Sequence, residues 1–444
     1  MLDKIKSSSS LLAKKALQKA SSKGGSFLNS KKSKEQYIVG LDIGTEFVKA
    51  LIAKTSLSHP GTLEVIGVGR CHQSLTDMQA GAIADIAAVV ENCDKALSEA
   101  EAQAQVSART AVIGIAGELV KGTTNSVRVS RKDPTLAIDT VEMEKIISLV
   151  QERSEARAKQ QLEWELGGKS VDVRLVNSAL VSIEIDGYPI NNPIGFQGRD
   201  VVIQLYTAFA PLIHIGALEK TASELDLDLL AVAAEPFAVS RAVIGNDVAQ
   251  NLSAILMDVG GGTTDLAVIN DGGVQGTKMF GIGGRAYTRG IEKELGITFD
   301  QAEDLKLKLS TNQIATSKRP MIEAALDKTA ETWVSGIELA LSEFDKLDHL
   351  PHRIFLCGGG SSLDMLVDKL EQNSWYKNLP FTRKPSVHHI RPEQVVGIHD
   401  ETGRITDHTY ITAMGLLRVG LDTSEFSGSG NESIKDKLDK MLSV

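Results

Sequence analysis

Short apolar runs that end in glycine-rich turns set the pattern of this chain. In Val39–Lys49 an apolar run leads to Asp42, Gly44 and Thr45, and a second apolar run follows. The same order returns in Ile255–Ile269. Apolar runs of this length, bounded by glycine, are typical of buried strands. Both segments therefore predict a strand–turn–strand hairpin with a carboxylate at the end of its first strand.

A third apolar run, Ile354–Cys357, ends in Gly358–Gly360 and leads into the helical pattern Leu363–Leu370. Glycine lets a ligand approach the backbone closely, and the free N–H groups of a helix N-terminus favour anions. A glycine turn by itself is also an ordinary β-turn. Three such turns in this order predict two similar half-domains that face each other across a nucleotide. The residues predicted to contact it are Asp42, Gly44, Thr45, Asp258, Gly260, Gly261, Gly262, Thr263, Thr264, Gly358, Gly359 and Gly360.

The segments between the turns alternate between helical and strand patterns. Ala80–Ala104 and the charged Thr140–Arg157 predict helices, whereas Thr110–Ala116 and Val201–Thr207 predict strands. Trp164 is predicted to pack in a core. This alternation indicates an α/β protein.

Composition and charge narrow the class of protein. The 444 residues are 42% hydrophobic and 24% charged, which is typical of a globular protein, and no apolar run is long enough for a membrane-spanning helix. The three cysteines are scattered without metal-ligand spacing, which favours a reducing compartment and disfavours a zinc site.

The two ends of the chain differ from its middle. Residues 1–36 hold nine lysines against Asp3 and Glu35, a local charge of +7. Met1–Ala20 predicts a basic amphipathic helix for an anionic membrane surface, and a solvated tail is the alternative. Leu421–Gly430 predicts a flexible linker before residues 431–444, whose apolar stripe predicts either a membrane anchor or a partner-binding helix.

The three glycine turns resemble the phosphate 1, phosphate 2 and adenosine motifs of the actin-like ATPase superfamily. Asn177–Pro211 resembles the small inserted domain of the bacterial cell-division family FtsA, and Phe280–Lys306 follows that family in order and spacing. The resemblance implies a two-lobed α/β fold of duplicated RNase H-like halves that bind ATP and Mg²⁺ between them. The implied domains are a basic extension (1–36), a first half (37–119 and 204–249), an inserted domain (120–203), a second half (250–409), a closing helix (410–420), and a linker with an amphipathic helix (421–444).

The resemblance also implies roles for particular residues. Asp42 and Asp258 would hold the Mg²⁺ ion, and Gly284 would lie close to the nucleotide. Glu303 and Lys306 would contact its ribose and base, although spacing of three on a helix also suits an exposed ion pair.

Two further residues have alternative interpretations. Glu235, in an Ala-Glu-Pro segment, would position the attacking water, and plain capping of a helix is the alternative. Lys49 either points toward the phosphates or is the exposed residue of an alternating strand, which the pattern favours.

The function implied is that of an ATP-binding cell-division protein with at most slow ATPase activity. It would self-associate into actin-like filaments and tether an FtsZ-type polymer or other division proteins to the inner face of the cytoplasmic membrane. Leu307–Pro320 is shorter than the FtsA insertion that helps to hold FtsZ, and it resembles PilM, so a type IV pilus or secretion scaffold is the alternative. A sugar or acetate kinase is disfavoured because no segment supplies a substrate pocket with a catalytic Asp. No nucleic-acid partner is predicted.

Overall fold

The protein is built around two mixed β-sheets. The computed structural model describes residues 36–244, 252–311, 313–315, 317–372 and 374–425. The predicted helices at the two ends of the chain lie outside these residues.

The strands and helices follow each other in the alternating order that the pattern predicts. The strands are β1 (Tyr37–Ile43), β2 (Phe47–Thr55), β3 (Leu63–His72), β4 (Met78–Gln79), β5 (Ala82–Ile83), β6 (Thr110–Ile115), β7 (Lys121–Ser130), β8 (Val173–Ile185), β9 (Tyr188–Pro189), β10 (Asp200–Pro211), β11 (Asp228–Ala234), β12 (Ala254–Val259), β13 (Thr264–Asn270), β14 (Gly273–Phe280), β15 (Arg353–Cys357), β16 (Ser386–His389) and β17 (Ile398–Asp400). The helices are α1 (Ile86–Ala104), α2 (Thr140–Glu165), α3 (Leu212–Glu224), α4 (Glu235–Ile244), α5 (Gly284–Leu295), α6 (Phe299–Ser310), α7 (Arg319–Ser342), α8 (Asp364–Gln372) and α9 (Ile411–Glu425).

The two sheets repeat one strand arrangement. The first has the order β11-β6-β1-β2-β3-β17, and the second contains the run β16-β15-β12-β13-β14. In each, a central strand pairs antiparallel with the next strand of its hairpin and parallel with a later strand. The predicted pair of duplicated α/β halves is therefore confirmed, and the two glycine hairpins occupy equivalent places in them.

The inserted segment extends the second sheet. β7 pairs with β14 at Gly276↔Thr123 and Thr277↔Gly122, and β10, β8 and β9 follow outward. β10 pairs with β7 or β8 along its whole length, from Asp200 to Pro211. The boundary predicted after residue 203 thus falls within β10. Cross-strand hydrogen bonds keep this strand continuous up to Pro211, where the chain enters α3.

Two helices join the halves through a shared apolar core. Val239 of α4 and Met414 of α9 pack in one cluster with Ile38 of the first sheet and Leu256 of the second. Each half also has its own core, and so does the inserted segment. α4 and α9 therefore support the strand ends from which the glycine turns begin.

Two predictions about single segments are wrong. Trp164 is 81% exposed on the last turn of α2, because the apolar face of that helix is formed by other positions, such as Leu162. The linker predicted from Leu421 does not begin there, since α9 continues to Glu425 and buries Asp422 against Arg241 and Arg418. No helix in the described part of the chain combines the length and apolar character needed to cross a membrane.

We expect Gly69→Ala to destabilise the first half, because α1 lies directly against β3 at this position. A Cβ on Gly69 would overlap the carbonyl oxygen of Ala96 and lie 2.8 Å from its carbonyl carbon. Backbone atoms cannot rotate away, so we expect a loss of about 1–3 kcal/mol in thermal or urea unfolding. Gly216→Ala in α3 is the control, since its Cβ would meet nothing within 4 Å. Equal stability of the two variants would contradict this packing.

Candidate functional site

The turns of the two glycine hairpins touch each other. A Cβ on Gly262 would lie 2.9 Å from Oγ1 of Thr45, and a Cβ on Gly261 would lie 2.9 Å from Cβ of Glu46. Both positions therefore need glycine at this contact. The first turn carries Gly44 and Thr45 and the second carries Gly260–Thr263, so the hairpins predicted to face each other are brought together.

Four carboxylates lie buried beneath these turns. Asp42 is 3% exposed, Asp258 8%, Asp265 3% and Glu235 7%. They come from β1, β12, β13 and the first residue of α4. Gly114 on β6 leaves room for Glu235, because a Cβ there would lie 2.9 Å from its Oε1. The charges of Asp42, Asp265 and Asp258 act on Glu235, so it belongs to this group.

Burial changes the titration of this group. Burial raises the pKa of Glu235 well above its ordinary value, and the neighbouring aspartates raise it further. Burial and then the charge of Asp258 raise the pKa of Asp265 well above its ordinary value. Burial also raises the pKa of Asp258, and a hydrogen bond from Thr412 on α9 partly offsets this effect. The cleft therefore disfavours several negative charges together unless a cation joins them.

Lys49 provides one such cation, which corrects the prediction of an exposed lysine. Its Nζ lies 2.9 Å from Oδ2 of Asp42, and its side chain is only 12% exposed. Burial lowers its pKa, but Asp42 more than offsets this, so the pKa of Lys49 is raised. Lys49 lies directly opposite Asp42 in the β1–β2 register, so both side chains are on the same face of the hairpin, near the start of β2.

Asp265 is a buried carboxylate of this group that was not among the residues predicted for the site. Its Oδ2 accepts a hydrogen bond of 3.0 Å from Thr263 Oγ1, whereas its Oδ1 has no partner among the described residues. A buried acceptor without a partner is costly and points to a missing donor or cation.

The carboxylates suit Mg²⁺, which prefers oxygen ligands and keeps several waters. Across the described ranges, no group of three His, Cys, Asp or Glu side chains is arranged to hold a metal ion directly. Asp42 and Asp258, one from each glycine hairpin, supply ligands of this chemical type.

The third glycine turn packs on the second. A Cβ on Gly358 (φ +80°) would overlap Oδ1 of Asp258, and one on Gly360 would lie 2.8 Å from the carbonyl oxygen of Gly260. A Cβ on Gly359 would meet nothing within 4 Å. Gly359 is therefore open to a ligand, while its neighbours hold the turn in place.

Two histidines support this third turn. His389 and His408 stack with ring centroids 4.2 Å apart. His389 Nε2 lies 2.9 Å from the Ser361 carbonyl oxygen, and His408 Nε2 lies 3.1 Å from Oγ of Ser362. Burial and the neighbouring His389 lower the pKa of His408 to about 4, so it is neutral at pH 7. These histidines thus act as supports for the turn.

Gly284, Glu303 and Lys306 meet at the start of α5. Lys306 Nζ donates to the Gly284 carbonyl oxygen at 3.0 Å and lies 2.8 Å from Oε2 of Glu303. Lys306 is 8% exposed, and Thr288 bonds to both partners. The alternative of an exposed ion pair is therefore wrong, and this pair is built into the wall of the cleft.

Two residues that contact the first glycine turn, Gln73 and Arg285, were not predicted from the sequence. Gln73, fully buried, donates from Nε2 to the Gly44 carbonyl oxygen at 2.7 Å. Arg285 of α5 contacts Glu46 of the first turn, with Nε 2.7 Å from Oε2. No local pattern marks these residues, because their partners lie far away in sequence.

Two halves with one strand order, facing glycine turns and buried carboxylates define an actin-like, two-lobed fold. A solved structure of a PilM–PilN type IV pilus biogenesis complex has a similar fold, with a TM-score of 0.62, 16% identity, and coverage of 86% of this chain and 98% of that one.

The sequence comparisons give a narrower likeness. The family model "Cell division protein FtsA" matches residues 255–415. Cell division protein FtsA of Pseudomonas aeruginosa is 25% identical over 427 residues, covering 90% of this chain and 94% of the relative. The Streptococcus pneumoniae protein of the same name is 25% identical over 418 residues, which cover 88% of this chain and 85% of the relative. The chain therefore resembles FtsA over most of its length, as its motifs predicted.

We expect Asp265→Asn to stabilise the ligand-free protein at high pH. A raised folded-state pKa means that the contribution of Asp265 to stability is present below its unfolded pKa, about 4, and is lost as pH rises through the folded value. The amide cannot ionise, so at pH 8 its Tm should exceed that of the wild type by roughly 2–4 °C.

The comparison should be repeated near pH 4, where the two proteins should differ little. Asp271→Asn, an exposed change at the other end of the same hairpin, is the control and should show no such pH dependence. A lower Tm for Asp265→Asn at pH 8 would show that the ionised carboxylate stabilises the ligand-free cleft.

Proposed function

We propose that this chain is an FtsA-type cell-division protein that binds ATP with Mg²⁺ in the cleft between its two halves. The observation that carries this proposal is the contact of two equivalent glycine turns above a group of buried carboxylates. Backbone N–H groups in such turns are suited to phosphate oxygens. The resemblance to FtsA adds the cell-division role.

Each predicted site residue has a place in this proposal. Phosphates are bound by the turns at Gly44–Thr45 and Gly260–Thr264. Asp42 and Asp258 hold Mg²⁺, which neutralises phosphate charge when it is bound. Lys49 adds a cation directed to the same place. The ribose and base lie against Gly284, Glu303, Lys306 and Gly358–Gly360, where Gly359 is open.

Glu235 is the proposed group that orients the attacking water. It is buried at the start of α4 beside the carboxylates of both halves. A raised pKa makes a carboxylate a better proton acceptor, which suits a general base. The proposed reaction is slow phosphoryl transfer to water, with stabilisation by the turn amides and Mg²⁺.

We expect Glu235→Gln to lower the single-turnover rate of ATP hydrolysis by about 10²-fold or more. ATP affinity should change by less than about threefold, because the turns and the metal ligands remain. Phosphate release and equilibrium titration with a fluorescent ATP analogue measure the two effects. Glu219→Gln, at an exposed surface pair, is the control. Unchanged hydrolysis would leave Glu235 with only its helix-capping role.

The proposed surroundings of the protein are the division machinery and the membrane. It would self-associate into actin-like filaments and link an FtsZ-type polymer to the inner face of the cytoplasmic membrane. The lysine-rich residues 1–36 and the amphipathic residues 431–444 supply the proposed lipid contacts. Two weak anchors together bind far better than either one alone.

We expect the full chain to sediment with anionic vesicles and not with neutral ones, because lysines and apolar faces act together. Removing residues 1–36 or 426–444 should each lower the bound fraction, by about tenfold for the main anchor. The C-terminal cut follows residue 425, because Asp422 pairs with Arg241 and Arg418. Thermal unfolding checks that both truncated proteins remain folded.

The vesicle result also separates two proposed roles. Loss of binding with the C-terminal segment supports an FtsA-like anchor, whereas loss only with residues 1–36 moves the anchor to the other end. No binding by the full chain favours a PilM-like scaffold for pilus or secretion assembly. The short link between α6 and α7, residues 311–318, and the fold similarity to the PilM–PilN complex are the observations that favour this second role.

A further inference from the structure

Arg285 joins the two halves of the protein at their glycine turns. It lies in the first turn of α5, on the second half, and its backbone N–H donates to the Gly261 carbonyl oxygen at 2.8 Å. Its side chain crosses to the first half. There Nε lies 2.7 Å from Oε2 of Glu46, and Nη2 lies 2.7 Å from the Thr45 carbonyl oxygen. One residue thus holds both turns.

Glu46 is itself fixed in position. Its second carboxylate oxygen, Oε1, lies 2.8 Å from Nε2 of His72. Its backbone carbonyl oxygen accepts a bond of 2.9 Å from the N–H of Gln73, whose side chain binds the Gly44 carbonyl oxygen. Asn92 reinforces Gln73 from α1. These hydrogen bonds fix the first turn to its own half, so Glu46 and the rest of the turn keep their positions relative to each other.

The pair is sheltered and directional. The side chain of Arg285 is 12% exposed and that of Glu46 is 21% exposed. Guanidinium groups form paired hydrogen bonds in a fixed plane, so the carboxylate and the carbonyl oxygen together define one geometry. Lysine cannot make both bonds from one nitrogen with the same directions.

We propose that Arg285 and Glu46 form a clasp that keeps the two glycine turns together and limits how fast nucleotide leaves the cleft. This inference rests on the proposed binding of ATP between the halves. Phosphates held by both turns leave only when the turns separate. Separation breaks the bonds of Arg285 to Glu46 and Thr45, so their strength adds to the barrier for release.

A double-mutant cycle on the full chain tests the clasp. Glu46→Gln, Arg285→Gln and the double variant are loaded with a fluorescent ATP analogue and Mg²⁺, and its release is followed during a chase with unlabelled ATP. Each single change should speed release by about fivefold to tenfold, because a charged hydrogen bond at a partly sheltered site is lost. The double variant should release no faster than the faster single variant.

Two further variants separate the clasp from general stability. Arg285→Lys should release nucleotide at a rate between those of the wild type and Arg285→Gln, since lysine keeps the charge and loses the paired geometry. Glu142→Gln removes an Arg–Glu pair of similar kind, with Arg131, in the inserted segment. It should leave the release rate unchanged even where it lowers the Tm.

The outcomes distinguish three cases. Two results would mean that Arg285 contacts the nucleotide itself and would overturn the clasp. One is faster release by Arg285→Gln with unchanged release by Glu46→Gln, and the other is effects that multiply in the double variant. Absence of nucleotide binding by the wild type would instead reject the proposed function. Hydrogen exchange at residues 44–46 and 283–285 without nucleotide then decides the clasp: faster exchange in both single variants supports it, and unchanged exchange overturns it.

Discussion

The cost of burying several carboxylates in one cleft is the constraint on which the rest of this structure depends. Asp42, Asp258, Asp265 and Glu235 are nearly inaccessible, and within the part of the chain that the structure describes Lys49 forms an ion pair with one of them, Asp42. Like charges in a sheltered site raise one another's pKa and favour a cation. In the proposed function Mg²⁺ would supply such a cation, and the two halves would form the frame that holds the four carboxylates around it.

Close backbone approach is the second requirement, and duplication satisfies it. Each half contributes the same hairpin at the same place in its sheet, so that Gly261 and Gly262 of the second turn meet Glu46 and Thr45 of the first. The third turn packs on the second through Gly358 and Gly360 and leaves Gly359 open. Helices α4 and α9 join the halves, and α9 also supplies Thr412 to Asp258. Support for the ligand site and support for the fold are therefore carried by the same elements.

The inserted segment is continuous with this frame rather than a separate attachment. β7 extends the second sheet, and β10 returns along it to the first half. The pairing between β7 and β14 covers two residue pairs, Gly276↔Thr123 and Thr277↔Gly122, and these join the insertion to the second half within one sheet.

The sequence by itself determined the hairpins, their glycines, the carboxylates at their strand ends and the duplicated α/β class, because these depend on local patterns of apolar residues and turns. The tertiary structure alone decided which distant side chains meet. It placed Arg285 against Glu46 and Gln73 against Gly44, and it carried β10 and α9 past their predicted limits. Those outcomes depend on pairing between segments far apart in the chain, and no local pattern encodes that pairing.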